Sequence, residues 1–465
     1  MTIPVKRRRS FLLVGGILMG LLDSAMVARS QASVPDVATA APAATSVVIT
    51  LDEAIRRAQS SDANYTAAVA AGRSAALDPA IARAGMLPTV RLYNQDIYTQ
   101  PNGLYSEGGE GVQSPDPKFV ANDSRPREYI AQGLVDETLS LAGAAEVRHA
   151  EAKAAQAKAE QEIARRGLVS AVTALFYSSL AADRKLSVAA RARQEAADFT
   201  KLTEEREQAR ESAHADVVKA ELEEQSRSRD LEDAQVAADA ARLELGVLLF
   251  PDPRTLYTLS APESAPPLAP REDIDAAARN NPELKSALEA LRASNAEVLA
   301  ARAAYLPDIR LNVTYGIDAN EFAVNGPLTA SGLSARNLGY STTATVNIPV
   351  WDWLSTEHKV KQSEIQRQAA QVALTATQRQ LIARLDEAYS EAATARDELA
   401  SLDLSVSTAA ESLRLTKLAY TGGEATVLEV VDAQNAYITA QNAREDGRVR
   451  YEAARARLQT LTGTM

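Results

Sequence analysis

The chain contains no cysteine and only three histidines. The first absence excludes disulfides, thiol catalysis and the acylated cysteine of a bacterial lipoprotein, so a membrane that holds this protein does so through the fold and not through a lipid anchor. His149, His214 and His358 lie far apart on polar, helix-like stretches, where solvated side chains are expected and not metal ligands. Beyond residue 32 the methionines are Met86 and Met465, which leaves no thioether path for soft metals. Gly422-Gly423 is not followed by the lysine of a phosphate-binding loop. No cofactor, no metal and no catalytic group is expected, so the chain does not read as an enzyme. Its one continuous apolar run, residues 11–22, is too short to span a bilayer as a helix, which takes about twenty residues. The net charge of −11, with no basic patch interleaved with aromatics, excludes nucleic acid as a partner. Aromatics are 5% of the chain, while charge of mixed sign is 24% and alanine is abundant. Such a composition suits long packed helices forming a rod and not a thick globular core.

Residues 1–32 read as a secretory signal: Lys6-Arg7-Arg8-Arg9, the apolar run, then Ser30-Gln31-Ala32 as a small-residue cleavage site. Arg8-Arg9-Ser10-Phe11-Leu12 also resembles a twin-arginine signal, but the general secretory route is favoured because the product should reach its membrane unfolded. In this segment Lys6, Arg7, Arg8, Arg9 and Arg29 outnumber Asp23 by four, so its removal takes the net charge from −11 to about −15. Residues 33–50, rich in Ala, Pro, Ser and Thr, are expected to form a flexible lead.

From Leu51 onward the sequence is written twice. Ala82-Arg83-Ala84-Gly85-Met86-Leu87-Pro88-Thr89-Val90-Arg91-Leu92 returns as Ala301-Arg302-Ala303-Ala304-Tyr305-Leu306-Pro307-Asp308-Ile309-Arg310-Leu311, and Asp216-Val217-Val218-Lys219-Ala220-Glu221 returns as Glu429-Val430-Val431-Asp432-Ala433-Gln434. The offset falls from 219 to 213 residues, so the lost length sits between these blocks and the helices of the two halves match. The expected organisation is a first repeat over 51–250, a proline-rich linker over 251–272 and a second repeat over 273–465.

Within each repeat the period changes in the same order. Thr50-Leu51-Asp52-Glu53 has the spacing of a capping box and opens a helix to about residue 85, interrupted at Asp78-Pro79. Its counterpart covers about 273–304, with Asn281-Pro282 as a restart. Each ends in Leu-Pro and gives way to alternation. Val90 and Leu92 alternate with Thr89, Arg91 and Tyr93; Ile309, Leu311, Val313 and Tyr315 alternate with Asp308, Arg310, Asn312 and Thr314. Strand pairs are predicted over about 88–135 and 307–350, joined by loops near 99–126 and 319–337. No proline then occurs between Pro126 and Pro251, or after Pro349. About 65 residues of strong helix formers in each half imply helices near 100 Å long, turning back near residue 210 and residue 422.

This ordered set, with Tyr420-Thr421-Gly422-Gly423 leading into Val430-Val431-Asp432-Ala433-Gln434, resembles the TolC-like outer-membrane efflux proteins over about residues 50–462. The resemblance implies a mainly α fold with a small β part: a tandem-repeat protomer of very long antiparallel helices, plus four strands contributed to a shared, trimeric, 12-stranded barrel continued by a periplasmic helical barrel. Elementary physics agrees that partners are needed, since four strands with one apolar face cannot close a barrel, and an open edge in lipid leaves backbone groups unpaired at several kcal/mol each. The number three comes only from the family. So do the implied role as outer-membrane channel of a tripartite efflux or type I secretion system, and the implied partners: a periplasmic adaptor (membrane fusion) protein, an inner-membrane pump or ABC exporter, and outer-membrane lipid. The residues alone leave open a non-conducting periplasmic coiled-coil scaffold or adaptor.

Carried over residue by residue, Tyr420 and Gly423 fall on the family's gate tyrosine and turn glycine, Glu429 and Asp432 on its pore carboxylates, and Asp216 on the carboxylate that faces the tyrosine. Glu429 and Asp432 are three apart and share a helical face. In stacked rings, two such charges about 8 Å apart repel by about 2 kcal/mol at an effective dielectric near 20, which should raise carboxylate pKa values and favour cations. Solvated helix carboxylates are the plainer alternative. Ala425 stands where an arginine often completes the family's closing network, so that tie is missing or supplied elsewhere. Glu207 to Arg210 replace the usual aromatic and glycine in the first half, and Lys219 stands opposite Asp432 in the repeat, as a possible neutraliser of the lower ring. Tyr93, Tyr129, Tyr315, Tyr340, Trp351 and Trp353 lie near strand ends and suit membrane boundaries; packing at the strand–helix junction is the alternative for Trp351 and Trp353. The exported cargo is not encoded in these features.

Overall fold

The structure, a computed structural model, describes residues 47–98, 127–262, 264–319, 321–328 and 332–463. The expected secretory signal, most of the lead and the loop 99–126 lie outside the described residues. A three-residue strand β1 (Val47–Ile49) precedes α1 (Leu51–Ser61), α2 (Ala63–Ala75) and α3 (Asp78–Ala84). The strands β2 (Thr89–Tyr98) and β3 (Arg127–Leu139) follow, then α4 (Leu141–Gln208) and α5 (His214–Leu249). After β4 (Tyr257–Leu259) the pattern recurs as α6 (Arg271–Ala278), α7 (Pro282–Ala303), β5 (Asp308–Ala319), a small pair β6 (Asn325–Leu328) and β7 (Ser334–Arg336), β8 (Leu338–Asn347), α8 (Ser355–Thr421) and α9 (Val427–Thr462).

The long helices are where proline is absent. α4 runs for 68 residues and α8 for 67, each about 100 Å at 1.5 Å per residue. Near the tip α5, α4, α9 and α8 pack in succession; toward the strands α2 and α3 pack on α4, α4 on α7, and α7 on α8. The shorter helices therefore stack end to end along the two long ones. Thr50 caps α1 by accepting from the Glu53 N–H at 3.4 Å, and Asn281 caps α7 by accepting from Glu283 and Leu284. Buried Asn281 also donates to the Leu461 carbonyl at 3.0 Å, which ties the start of α7 to the end of α9.

The four-stranded sheet is a meander in the order β2-β3-β5-β8, antiparallel throughout. Val90, Val135 and Val313 lie in one cross-strand row, Leu92, Gly133, Tyr315 and Tyr340 in another, and Ala131, Ile317 and Leu338 in a third. These rows share one face, because directly opposed residues in an antiparallel sheet point the same way. The other face carries Arg91, Gln95, Gln132, Asp136, Asn312, Thr314 and Ser341. There Asp136 accepts from Arg91 at 2.6 Å and from Asn312 at 2.7 Å.

Two structured segments depart from the expected domain plan. The lead ends in β1, and the inter-repeat linker carries β4, which pairs with β1 in parallel register. Three-residue strands show no alternation to read. Together they close a core in which Ile49, Ala54 and Ala58 meet Val172, Phe176, Tyr177 and Leu180 of α4, Leu245 and Leu249 of α5, and Phe250 and Tyr257. The Tyr257 hydroxyl donates to the Arg242 carbonyl at 2.6 Å, and burial pushes its pKa up to about 12. The linker is fastened again where the Tyr451 hydroxyl donates to the Pro266 carbonyl and Arg448 donates to that of Pro262. In the second repeat Ile274 and Ala278 of α6 pack on Leu381, Leu385, Ala388 and Ala392 of α8 and on Ala454, Leu458 and Leu461 of α9.

Candidate gate at the helical tip

Both helical hairpins turn at the same end of the molecule, α4 into α5 through residues 209–213 and α8 into α9 through residues 422–426. The two turns use one backbone route with different residues. Gly423 has φ +79°, the left-handed conformation that glycine adopts without cost, while Arg210, its repeat equivalent, has φ 63° and bears a side chain. Thr426 opens α9 with a full capping box, its hydroxyl accepting from the Glu429 N–H at 3.3 Å while Glu429 accepts from the Thr426 N–H at 2.6 Å. α5 opens on Ala213, which has no side-chain cap. Ala213 is extended, with φ −81° and ψ 147°, close to the −93° and 161° of Thr426. Ala213→Thr should therefore install the missing cap and stabilise the first turn by about 1 kcal/mol. Slower proteolytic nicking at residues 209–213 checks it; an unchanged rate would refute it.

Tyr420 is buried, with its ring centroid 5.1 Å from that of Phe199. The guanidinium of Arg206 lies 4.8 Å from the Tyr420 ring centroid and donates through Nη1 to the Tyr420 carbonyl, while the Tyr420 hydroxyl stands 3.5 Å from that of Thr203. Ala220, Val427 and Val430 complete this apolar cluster. Of its polar members, Arg206 and Thr203 were not apparent in the sequence, because helix-borne arginines and threonines are common. Phe199 carried a signal, as one of six phenylalanines in the chain, set in a stretch of Ala, Glu and Lys.

Within one protomer the expected carboxylates make local contacts. Asp216 accepts from the Ser212 hydroxyl at 3.3 Å and lies 3.6 Å from Lys219; its contacts are on its own hairpin, not with Tyr420. Lys219 thus meets Asp216 and not Asp432, because residues three apart on one helix are neighbours. Glu429 and Asp432 are both exposed on α9. The Thr426 backbone N–H, then its hydroxyl, hold the Glu429 carboxyl below the usual carboxylate range. Within one protomer the direction is opposite to that expected of an acidic ring, since a helix N-terminus favours negative charge.

At the other end, Tyr315 and Tyr340 face one another across β5 and β8 on the apolar face, and Tyr129 lies on the same face opposite Ala319. Tyr93 is on the polar face, where its hydroxyl bonds Gln95. Trp351 and Trp353, both exposed, form an edge-on pair at 5.9 Å just beyond β8. Trp353 and Leu354 have φ 57° and 65°, and Asp352 secures this turn by accepting from the Thr356 N–H at 2.8 Å. Among the described residues no helix is long and apolar enough to cross a membrane.

Residues 274–464 match the family model for the outer membrane efflux protein. The chain is 28% identical over 167 residues to the outer membrane protein OprJ of Pseudomonas aeruginosa, a match over 36% of this chain and a third (33%) of that protein's length. Its structure superposes on the Campylobacter jejuni CmeC outer membrane channel with a TM-score of 0.74 at 14% identity, covering 89% of this chain and 85% of that one. The outer membrane protein VceC of Vibrio cholerae gives a TM-score of 0.71 at 18% identity, covering 89% and 96%. Residues 274–464 thus match the outer membrane efflux protein family, and the described chain shares the fold of these solved outer membrane channels.

Proposed function

We propose that the protein is the outer-membrane duct of a tripartite efflux or type I secretion system, a passive homotrimeric channel that a periplasmic adaptor joins to an inner-membrane pump or exporter. The observation that carries this reading is the four-stranded meander with one apolar face and two edge strands, β2 and β8. From Ile309 to Ile317 the apolar series spans eight residue steps, about 26 Å along the strand. At a strand tilt of about 40° this series rises about 20 Å, most of an outer-membrane apolar band of about 25 Å. Hydrocarbon cannot satisfy a strand edge, so β2 of one copy must pair with β8 of another. The helices support the same closure. α5 exposes Val218, Leu222, Val236, Leu243 and Val247, and α8 exposes Ile365, Val372, Ile382, Leu404, Leu415 and Leu418. At about 100° per residue these sets occupy arcs of about 60° and 100°, one stripe on each outer helix of the row.

In this reading Tyr315, Tyr340, Tyr129, Trp351 and Trp353 mark the lipid boundaries, Tyr93 faces the lumen, and Glu429 and Asp432 line the periplasmic entrance. Purified protein in planar bilayers should conduct with a preference for cations. Glu429→Ala with Asp432→Ala should widen the conductance and move the reversal potential in a salt gradient toward zero. Protein that leaves membranes in a carbonate wash would instead fit a periplasmic scaffold, and protein that inserts without conducting in either form would overturn the duct reading.

A further inference from the structure

We infer that Arg206 is a positioning residue for the gate: it fastens the second hairpin to the first inside one protomer and so sets the rest position of Tyr420 and the Gly422-Gly423 turn. The inference rests on the duct reading above. Arg206 lies in the last turn of α4, and its side chain is 19% exposed. Nη1 donates to the Tyr420 carbonyl, the guanidinium plane packs on the Tyr420 ring, and Nε lies 3.6 Å from Glu211. Tyr420 is in the last turn of α8, a turn that contains no basic residue of its own. Two helix C-termini thus end side by side, each with a partial negative charge, and one arginine serves both.

The tie is one-sided. At the repeat offset of 213 residues, Arg206 corresponds to Ala419, so the second half has no reciprocal arginine. Ala425 offers none either. The second turn is also the freer of the two, because Gly422 and Gly423 stand where the first has Ala209 and Arg210. Removing Arg206 should therefore release the second turn and leave the first in place.

Two measurements test this on the full chain in detergent and in planar bilayers. Arg206→Ala should speed amide hydrogen exchange over residues 420–425 and raise the occupancy of the high-conductance state by about tenfold, the weight of one charge-assisted hydrogen bond. Arg206→Lys, which keeps one donor and the charge but loses the planar stack, should fall between Arg206→Ala and the parent. Glu211→Gln, at the exposed rim, should leave both readouts near the parent's. Exchange unchanged in Arg206→Ala overturns the inference whether or not that variant conducts. A conducting parent with equal occupancy in Arg206→Ala overturns it too and leaves the duct reading intact. No conductance in any variant overturns the duct reading, and the gate role of Arg206 with it.

Discussion

Gly316→Ala is expected to abolish stable assembly in the outer membrane. A Cβ at this position would lie 2.1 Å from the Ala131 carbonyl oxygen and 2.6 Å from the Gln132 Cα. Both are backbone atoms of β3, directly across from Gly316 in the register that joins the hairpin of the first repeat to that of the second. Overpacking against side chains costs about 1–3 kcal/mol because they can turn aside. Backbone cannot, so β3 and β5 must part. Gly339 on β8, where a Cβ would meet nothing within 4 Å, is the control and should accept alanine. The readout is the heat-modifiable oligomer band of outer-membrane fractions on electrophoresis. Gly316→Ala present at parental level would show that the two hairpins are not joined as described.

Phe176→Ala should give the largest loss in the helical part. Its side chain is fully buried, 5.5 Å edge-on from Tyr177, where α1, α4, α5, β1 and β4 converge. Deleting a buried phenylalanine costs about 3–5 kcal/mol, and Phe176→Leu, which keeps most of the volume, should cost a third of that or less. Thermal unfolding in detergent separates the two, with a drop on the order of 10 °C for alanine. Equal midpoints for the two variants would mean that this aromatic plug does not hold the short elements to the long helices.

The parts visible from residue order alone were those with a long or strict period. α4 and α8 were legible because nothing between Ser140 and Gln208, or between Ser355 and Thr421, interrupts helix formation. The strands are legible because alternation separates Val90 and Leu92 from Arg91 and Tyr93, which also sets Tyr93 in the polar series. The division between α1 and α2 was not, because no proline marks it; the Asp62 side chain makes it by capping the Tyr65 N–H at 2.6 Å. At the tip, Tyr420 and Gly423 stand out in the sequence by their place in an ordered motif. Arg206 was not, because its partner lies 214 residues away, and only folding of the two hairpins side by side brings them together.

The meander also dictates an order of events during biogenesis. The pairs β2–β3 and β5–β8 each close over a local connection, whereas β3 and β5 are separated by residues 140–307, so joining the two hairpins carries the larger loop-closure entropy and comes after each has formed. In the proposed trimer the seam between β2 and β8 is different, because it joins separate molecules and its rate depends on how many are present. Until it forms, each subunit displays a ready template for the wrong neighbour. Dosage of this protein, more than its intrinsic folding speed, should therefore govern how much of it matures and how much is lost to aggregation or proteolysis.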